Sequence, residues 1–196
     1  MSWEDAWREG RTGWDAGGSP PALIELVDAG VLPVGRALVP GCGAGYDVLT
    51  LASHEREVIG LDLAETAAAR FRALREARGV LEARARVITA DFFAYEPDAP
   101  FDLIWDYTFL CAIDPSQRAA WADKVDALLA PGGELAMLIF PATEEPPFGK
   151  GPPFALPVRE VRALLEPRFT AIQLEPARRS HPGREGMEHV ARWRRR

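Results

Sequence analysis

"LVPGCGAGYD", residues 38–47, is an apolar run that breaks into glycine at every second position, Gly41, Gly43 and Gly45, and then turns into the first residues of a helix. A buried strand, a glycine turn and a helix in immediate succession form the opening unit of a doubly wound α/β fold. Glycines at such a turn permit backbone angles closed to other residues and let the backbone approach a ligand with no Cβ in the way. The turn is not a dinucleotide fingerprint, because GxGxxG needs a third glycine where Tyr46 stands. It is not a P-loop either, since no Lys-Ser or Lys-Thr follows.

Outward from this turn, short apolar strands alternate with amphipathic helical stretches, the pattern of a parallel sheet covered on both faces. Strands are predicted at 36–40, 57–61, 85–89, in "FDLIWDYTF" (101–109), in "GELAMLIF" (133–140), at 169–174 and at 188–193. In "ETAAARFRALREAR" (65–78), Ala67, Phe71, Leu74 and Ala77 recur at spacings of three and four, which predicts a helix. A second helix is expected over 115–129, capped by Asp114 with Pro115 at its first position, and a third over 158–166. Pro131-Gly132-Gly133 reads as a turn, and the last two strands as a hairpin-like pair at the sheet edge. "PATEEPPFGKGPPFALP" (141–157) holds six prolines and must be a loop, long enough to suggest function. The expectation is a doubly wound, Rossmann-like, seven-stranded, mostly parallel sheet, with its crevice at the carboxyl ends of the strands near the switch point.

Two acids stand where such a crevice would use them. Asp62 follows Gly41 by twenty-one residues, close to the spacing of a carboxylate that accepts from ribose hydroxyls. Asp91, in "TADFF" (89–93), either caps a turn or accepts from an adenine amino group, with Phe92 packing on the ring. Both phosphate motifs fail, whereas S-adenosylmethionine carries no phosphate, and a helix N-terminus near Ala44 suffices for its carboxylate. A nicotinamide-dependent reductase is disfavoured by the missing glycine; a non-catalytic binding module with the same pocket remains an alternative.

Composition narrows the class further. The 196 residues suit one domain with a core, 47% hydrophobic and 27% charged, with neither an eighteen-residue apolar stretch nor a signal-peptide pattern, so a cytoplasmic protein is expected. Cys42 and Cys111 are far apart and show no CxxC spacing, so neither a metal site nor a disulfide is expected. A net charge of −6 argues against nucleic acid, and the terminal "ARWRRR" reads as a solvated basic tail. The expected partner is a small molecule or anion, with no nucleic acid and no membrane, and the chain a monomer or weak oligomer.

Residues 1–35 stand apart from the core at 36–196. Trp3 and Trp7 share a helical face, and "GRTGWDAGG" (10–18) then breaks the helix and delivers Trp14. From spacing alone, the three tryptophans either anchor a helix to the core or contact a ligand.

Together, "WREGRTGWDAGGSPPAL" (7–23), "ALVPGCGAGYDVLTLA" (37–52), "VIGLDLAETA" (58–67), "FDLIWDYTFLCAIDPSQRAAWA" (101–122), "LLAPGGELAMLIFP" (128–141) and "GPPF" (151–154) resemble class I S-adenosylmethionine-dependent methyltransferases. Within them the chain is similar to the thiopurine S-methyltransferase superfamily, in its thiol and halide methyltransferase branch. The resemblance implies an N-terminal helical lid whose Trp3, Trp7 and Trp14 enclose the cofactor. It further implies contacts from Gly41, Gly43, Gly45, Asp62, Asp91, Phe92 and Tyr107, with a small soft nucleophile as acceptor: hydrosulfide, thiocyanate, a halide, an aromatic thiol, a thiopurine or tellurite.

Transfer from a sulfonium to an anion annihilates two charges, so a dry, aligning pocket can supply the rate without an obligatory base. No nucleophile, base and orienting acid are apparent; His54, His181 and His189 read as surface residues. For a thiol, Asp106 or Tyr107 could assist deprotonation, although Asp106 equally suits a strand-end hydrogen-bonding role. Phe109, Cys111 and Phe154 are candidate walls of the acceptor pocket, Cys111 by packing rather than reactivity. Arg8 and Arg11 either attract an anion or are solvated.

Overall fold

The computed structural model describes residues 2–147 and 149–196, so Phe148 of the proline-rich loop lies outside the described residues. Seven strands form one sheet in the order β3-β2-β1-β4-β5-β7-β6. These are β1 (Gly35–Pro40), β2 (Arg56–Asp62), β3 (Ala85–Thr89), β4 (Phe101–Tyr107), β5 (Leu129–Ile139), β6 (Phe169–Pro176) and β7 (His189–Arg195). The first five pair in parallel, while β7 lies antiparallel between β5 and β6. The order reverses between β1 and β4, which opens a crevice at the carboxyl ends of those strands.

Helices α2 (Pro21–Asp28), α3 (Tyr46–Leu51) and α4 (Glu65–Ala77) cover one face, and α5 (Arg118–Leu128) and α6 (Val158–Leu165) the other. The central strands are buried on both sides, so they read as apolar runs rather than alternations. Trp105, Trp121 and Trp193 are among the largest fully buried side chains, and each belongs to a different element.

Three expectations are corrected. The predicted 115–129 helix opens as a 3-10 turn over Pro115–Gln117, capped by Asp114 as expected, before α5 begins. Pro131–Gly133 does not precede β5; it falls inside that strand, where the register jumps from Phe101 opposite Leu129 to Leu103 opposite Glu134. "ARWRRR" is not a solvated tail but the body of β7. Trp193 is buried in the core, Arg192 pairs with buried Glu134 at 2.5 Å, and Arg195 pairs with Asp126 at 2.8 Å. An inserted strand needs partners for its charged side chains, and Glu134 and Asp126 supply them.

The N-terminal segment is helical over α1 (Trp3–Arg8), capped by Ser2. Helix α4 has no side-chain cap of its own, because Ala64 stands at its N-cap. Glu4 serves instead: its carboxylate accepts from the Thr66 backbone N–H at 3.0 Å and from the Thr66 hydroxyl at 2.6 Å. A missing local cap is thereby met by a residue sixty-two positions away, and α1 is fixed to the core.

Candidate active site

Because β1, β2, β3 and β4 are parallel, Gly41, Asp62, Asp91 and Tyr107, each at or just past a strand end, come to one edge of the sheet. Gly41 and Gly43 have φ of +57° and +54°, a region that disfavours side chains. The space beside them is filled by the protein itself. A Cβ on Gly41 would lie 2.5 Å from the Phe109 ring, and one on Gly43 would lie 3.1 Å from the Trp7 ring. Gly45 ends the turn as the N-cap of α3, against Phe71.

Asp62 folds back on this turn. One oxygen accepts from the Gly43 N–H at 2.8 Å and the other from the Ala64 N–H at 2.9 Å. Burial pushes its carboxyl upward, against the lowering effect of those backbone donors. Each oxygen keeps a lone pair beyond the bond it makes, so the carboxylate still has capacity for a diol. Asp91 is exposed and accepts from the Phe93 N–H at 2.9 Å, while Phe92 is only 3% exposed and packs edge-on against Phe93 and Phe109.

The tryptophans cluster above the turn. Trp14 meets Trp3 and Trp7 edge-to-face at 5.1 and 6.0 Å, and the Arg70 guanidinium lies 5.0 Å from the Trp7 ring. Arg8 pairs with Asp5 and Arg11 with Glu9 on the exposed surface.

Strand alternation sends the two acceptor-side candidates to opposite faces. Asp106 is buried, accepting from the Leu110 N–H at 3.1 Å and from Trp121 Nε1–H at 3.0 Å. Burial pushes its carboxyl up to about 7, and its partners make it the pin of the bend after β4. In that bend Thr108 adopts a φ of 68°, unusual for a β-branched residue, and the bend swings Phe109 over Gly41. Cys111 is buried, with its thiol raised by desolvation, and its carbonyl accepts from the Phe154 N–H at 2.8 Å. Phe154 is therefore tied to Cys111, while Phe109 packs on Gly41 and Phe92. Tyr107 donates its hydroxyl to Glu188 at 2.6 Å and accepts from Arg184; burial first, then Glu188, raises its phenol far above the ordinary range.

Several side chains at this edge were not singled out from sequence. Arg184 lies in an irregular stretch between β6 and β7 that no spacing announces, and Glu188, read from sequence as the first residue of the last strand, immediately precedes β7, where nothing marked it as a site residue. Asp47 accepts from Trp105 Nε1–H at 2.7 Å at the foot of the glycine turn, and burial pushes it up to about 6. Leu63, beside Asp62, is 56% exposed, although it is a large apolar residue. His181 and His189 are not simply surface residues, since each has a buried ring nitrogen.

The architecture is that of class I S-adenosylmethionine methyltransferases. It is similar to the 1,6-didemethyltoxoflavin-N1-methyltransferase of Burkholderia thailandensis, solved with S-adenosylhomocysteine (TM-score 0.77, 21% identity, 97% of this chain and 84% of that one). It is also similar to the N-methyltransferase NodS of Bradyrhizobium japonicum, solved with the same product (TM-score 0.74, 20% identity, 98% and 97%). The family described as Thiopurine S-methyltransferase (TPMT) matches residues 1–196, and the chain belongs to that family. Among its relatives are "Probable thiol methyltransferase 2" of Arabidopsis thaliana, 44% identical over 97% of this chain and 83% of the relative, and "Thiocyanate methyltransferase 1" of the same plant, 42% identical with the same coverage. The protein is a methyltransferase of an S-adenosylmethionine-dependent family.

Proposed function

We propose that the whole chain is one methyltransferase domain that transfers a methyl group from S-adenosylmethionine to a small soft nucleophile: a thiol, hydrosulfide, thiocyanate or a halide. The observation that carries this reading is the meeting, at one sheet edge, of the Asp62 carboxylate, the glycine turn and an aromatic enclosure of Trp7, Trp14, Phe109 and Tyr107. Relatives named for thiol and thiocyanate methylation support the acceptor class.

When bound, S-adenosylmethionine supplies a methyl group on a positively charged sulfur. Asp62 holds the ribose hydroxyls through its spare lone pairs, Leu63 and Asp91 flank the adenine, and Gly41, Gly43 and Gly45 offer the backbone for the amino-acid end. Phe92 acts through Phe109 and Phe93 rather than as an open face. Aromatic rings attract a cation, so Trp7, Trp14 and Tyr107 suit the sulfonium end of the crevice. Helix α1 and its tryptophans act as a lid that excludes water, and a dry pocket favours a reaction in which charges disappear. Phe109, Cys111 and Phe154 wall the acceptor side. An anionic acceptor then needs alignment more than it needs a base.

Titration calorimetry with S-adenosylhomocysteine tests the cofactor half of this reading. Wild type binds, and Asp62→Ala weakens binding by about 100-fold, the scale of charge-assisted hydrogen bonds. Headspace detection of methanethiol, methyl thiocyanate and methyl iodide, beside a panel of aromatic thiols and tellurite, tests the acceptor half. Turnover confined to the aromatic thiols or to tellurite would overturn it.

A further inference from the structure

The irregular segment 177–188, between β6 and β7, brings three polar side chains over the ends of β4 and β5. Arg184 donates to the Tyr107 hydroxyl and to the Trp14 carbonyl at 2.7 Å, with its guanidinium 4.8 Å from the Phe140 ring and 5.4 Å from the Tyr107 ring. It thus joins the tryptophan segment to the end of β4. Glu188, only 2% exposed, accepts from the Tyr107 hydroxyl through Oε1, while its Oε2 is buried with no hydrogen-bond partner among the described residues. His181 Nε2 is likewise buried and unpartnered among the described residues. Burial and Arg184 lower the imidazole's pKa, which favours the neutral ring.

Glu188 Oε2 is therefore a buried acceptor that waits on a donor. Folded proteins retain few such atoms without a reason. A ligand satisfies it only if it brings hydrogen. Iodide and thiocyanate bring none, and each would set a negative charge against the Glu188 carboxylate. A neutral thiol or hydrogen sulfide brings an S–H.

We propose that Glu188 is the catalytic base on the acceptor side, and that the acceptor enters as a neutral thiol with its S–H on Glu188 Oε2. This rests on the reading of the site as methyl transfer to a small soft nucleophile. As the acceptor sulfur bonds to the methyl carbon, that carbon's bond to the donor sulfur breaks, and its electron pair stays with the donor, now a neutral thioether. The acceptor's proton passes to Oε2, so one sulfonium and one carboxylate become two neutral groups. Tyr107, with its phenol held protonated, positions Oε1 and is not itself the base.

Glu188→Gln keeps the shape and the Tyr107 hydrogen bond but removes the proton acceptor. With ethanethiol near pH 7, where an alkyl thiol is protonated, turnover is expected to fall about 100-fold or more, the range of general-base catalysis. Turnover of iodide and thiocyanate, freed from the opposing carboxylate charge, is expected to rise rather than fall, so that the ratio of thiol to anion turnover drops about 100-fold or more. Independently of turnover, calorimetric titration of ethanethiol into the S-adenosylhomocysteine complex should show binding about tenfold weaker in the variant. Glu188→Asp, which keeps the charge, should retain more thiol turnover than the Gln variant and provides the comparison if that variant unfolds. An equal loss for ethanethiol and iodide, or unchanged thiol turnover and affinity, overturns the assignment of Glu188. Wild type that methylates iodide and thiocyanate but not ethanethiol overturns the neutral-thiol assignment alone. Wild type that binds S-adenosylhomocysteine yet methylates none of the three overturns the functional reading together with it.

Discussion

Gly41 illustrates how one residue can serve a site indirectly. A side chain there would meet both a backbone in the left-handed region and the Phe109 ring, so Gly41→Ala should cost about 2 kcal/mol or more in urea unfolding. Adding Phe109→Ala should recover part of that loss, because the contact is removed while the backbone strain remains. Asp106 offers a pH signature. Its folded carboxyl, at about 7, lies above its unfolded value, so it binds more protons folded than unfolded between those limits. Its contribution is full at low pH and is lost as pH rises toward 7. The unfolding free energy of wild type minus that of Asp106→Asn should therefore shrink by roughly 1 kcal/mol or more between pH 4 and 7. A flat difference across that window would exclude this account of the residue. Asp62 and the glycines were legible from sequence because a turn after a strand has a fixed spacing. Glu188 was legible as the start of the last strand but not as a site residue, because only the antiparallel insertion of β7 beside β5 brings it to Tyr107.

At the level of elements, the N-terminal helix depends on a contact that its own sequence does not advertise. Glu4 caps α4 through Thr66, and Arg184 holds the Trp14 carbonyl from the other end of the chain. Glu4→Gln should therefore speed hydrogen exchange across residues 3–14 while leaving β1 and β4 protected. Equal protection in wild type and variant would mean that the tryptophan cluster alone holds the segment. The strands and α4 could be read in advance because burial on two faces, or on one stripe, leaves a pattern of period two, of period 3.6, or of continuous apolar residues. The bulge in β5 and the 3-10 start before α5 could not, since both depend on how a neighbouring strand or cap takes up a local mismatch.

Across the whole molecule, the sheet is completed by its last seven-residue strand. Arg192 pairs with Glu134, itself only 1% exposed, and donates to the Val31 carbonyl, so β7 ties β5 to the loop after α2. Arg192→Ala would leave the Glu134 carboxylate buried without that partner and should cost about 3–5 kcal/mol, read as a lower midpoint in thermal or urea unfolding. A midpoint shift no larger than that of an exposed arginine such as Arg162 would show β7 to be held by Trp193 alone. Composition alone assigned those arginines to solvent, since charge in a sequence says nothing of which acid a fold will set opposite. By itself the sequence determined the doubly wound sheet, the glycine turn and the acid at the end of β2, because strand periodicity and turn spacing are local properties of the chain. Only the tertiary structure decided which side chains fill the space beside the glycines, that the basic end is a strand, and that Glu188 and Arg184 face Tyr107, because those contacts join residues from 26 to 170 positions apart.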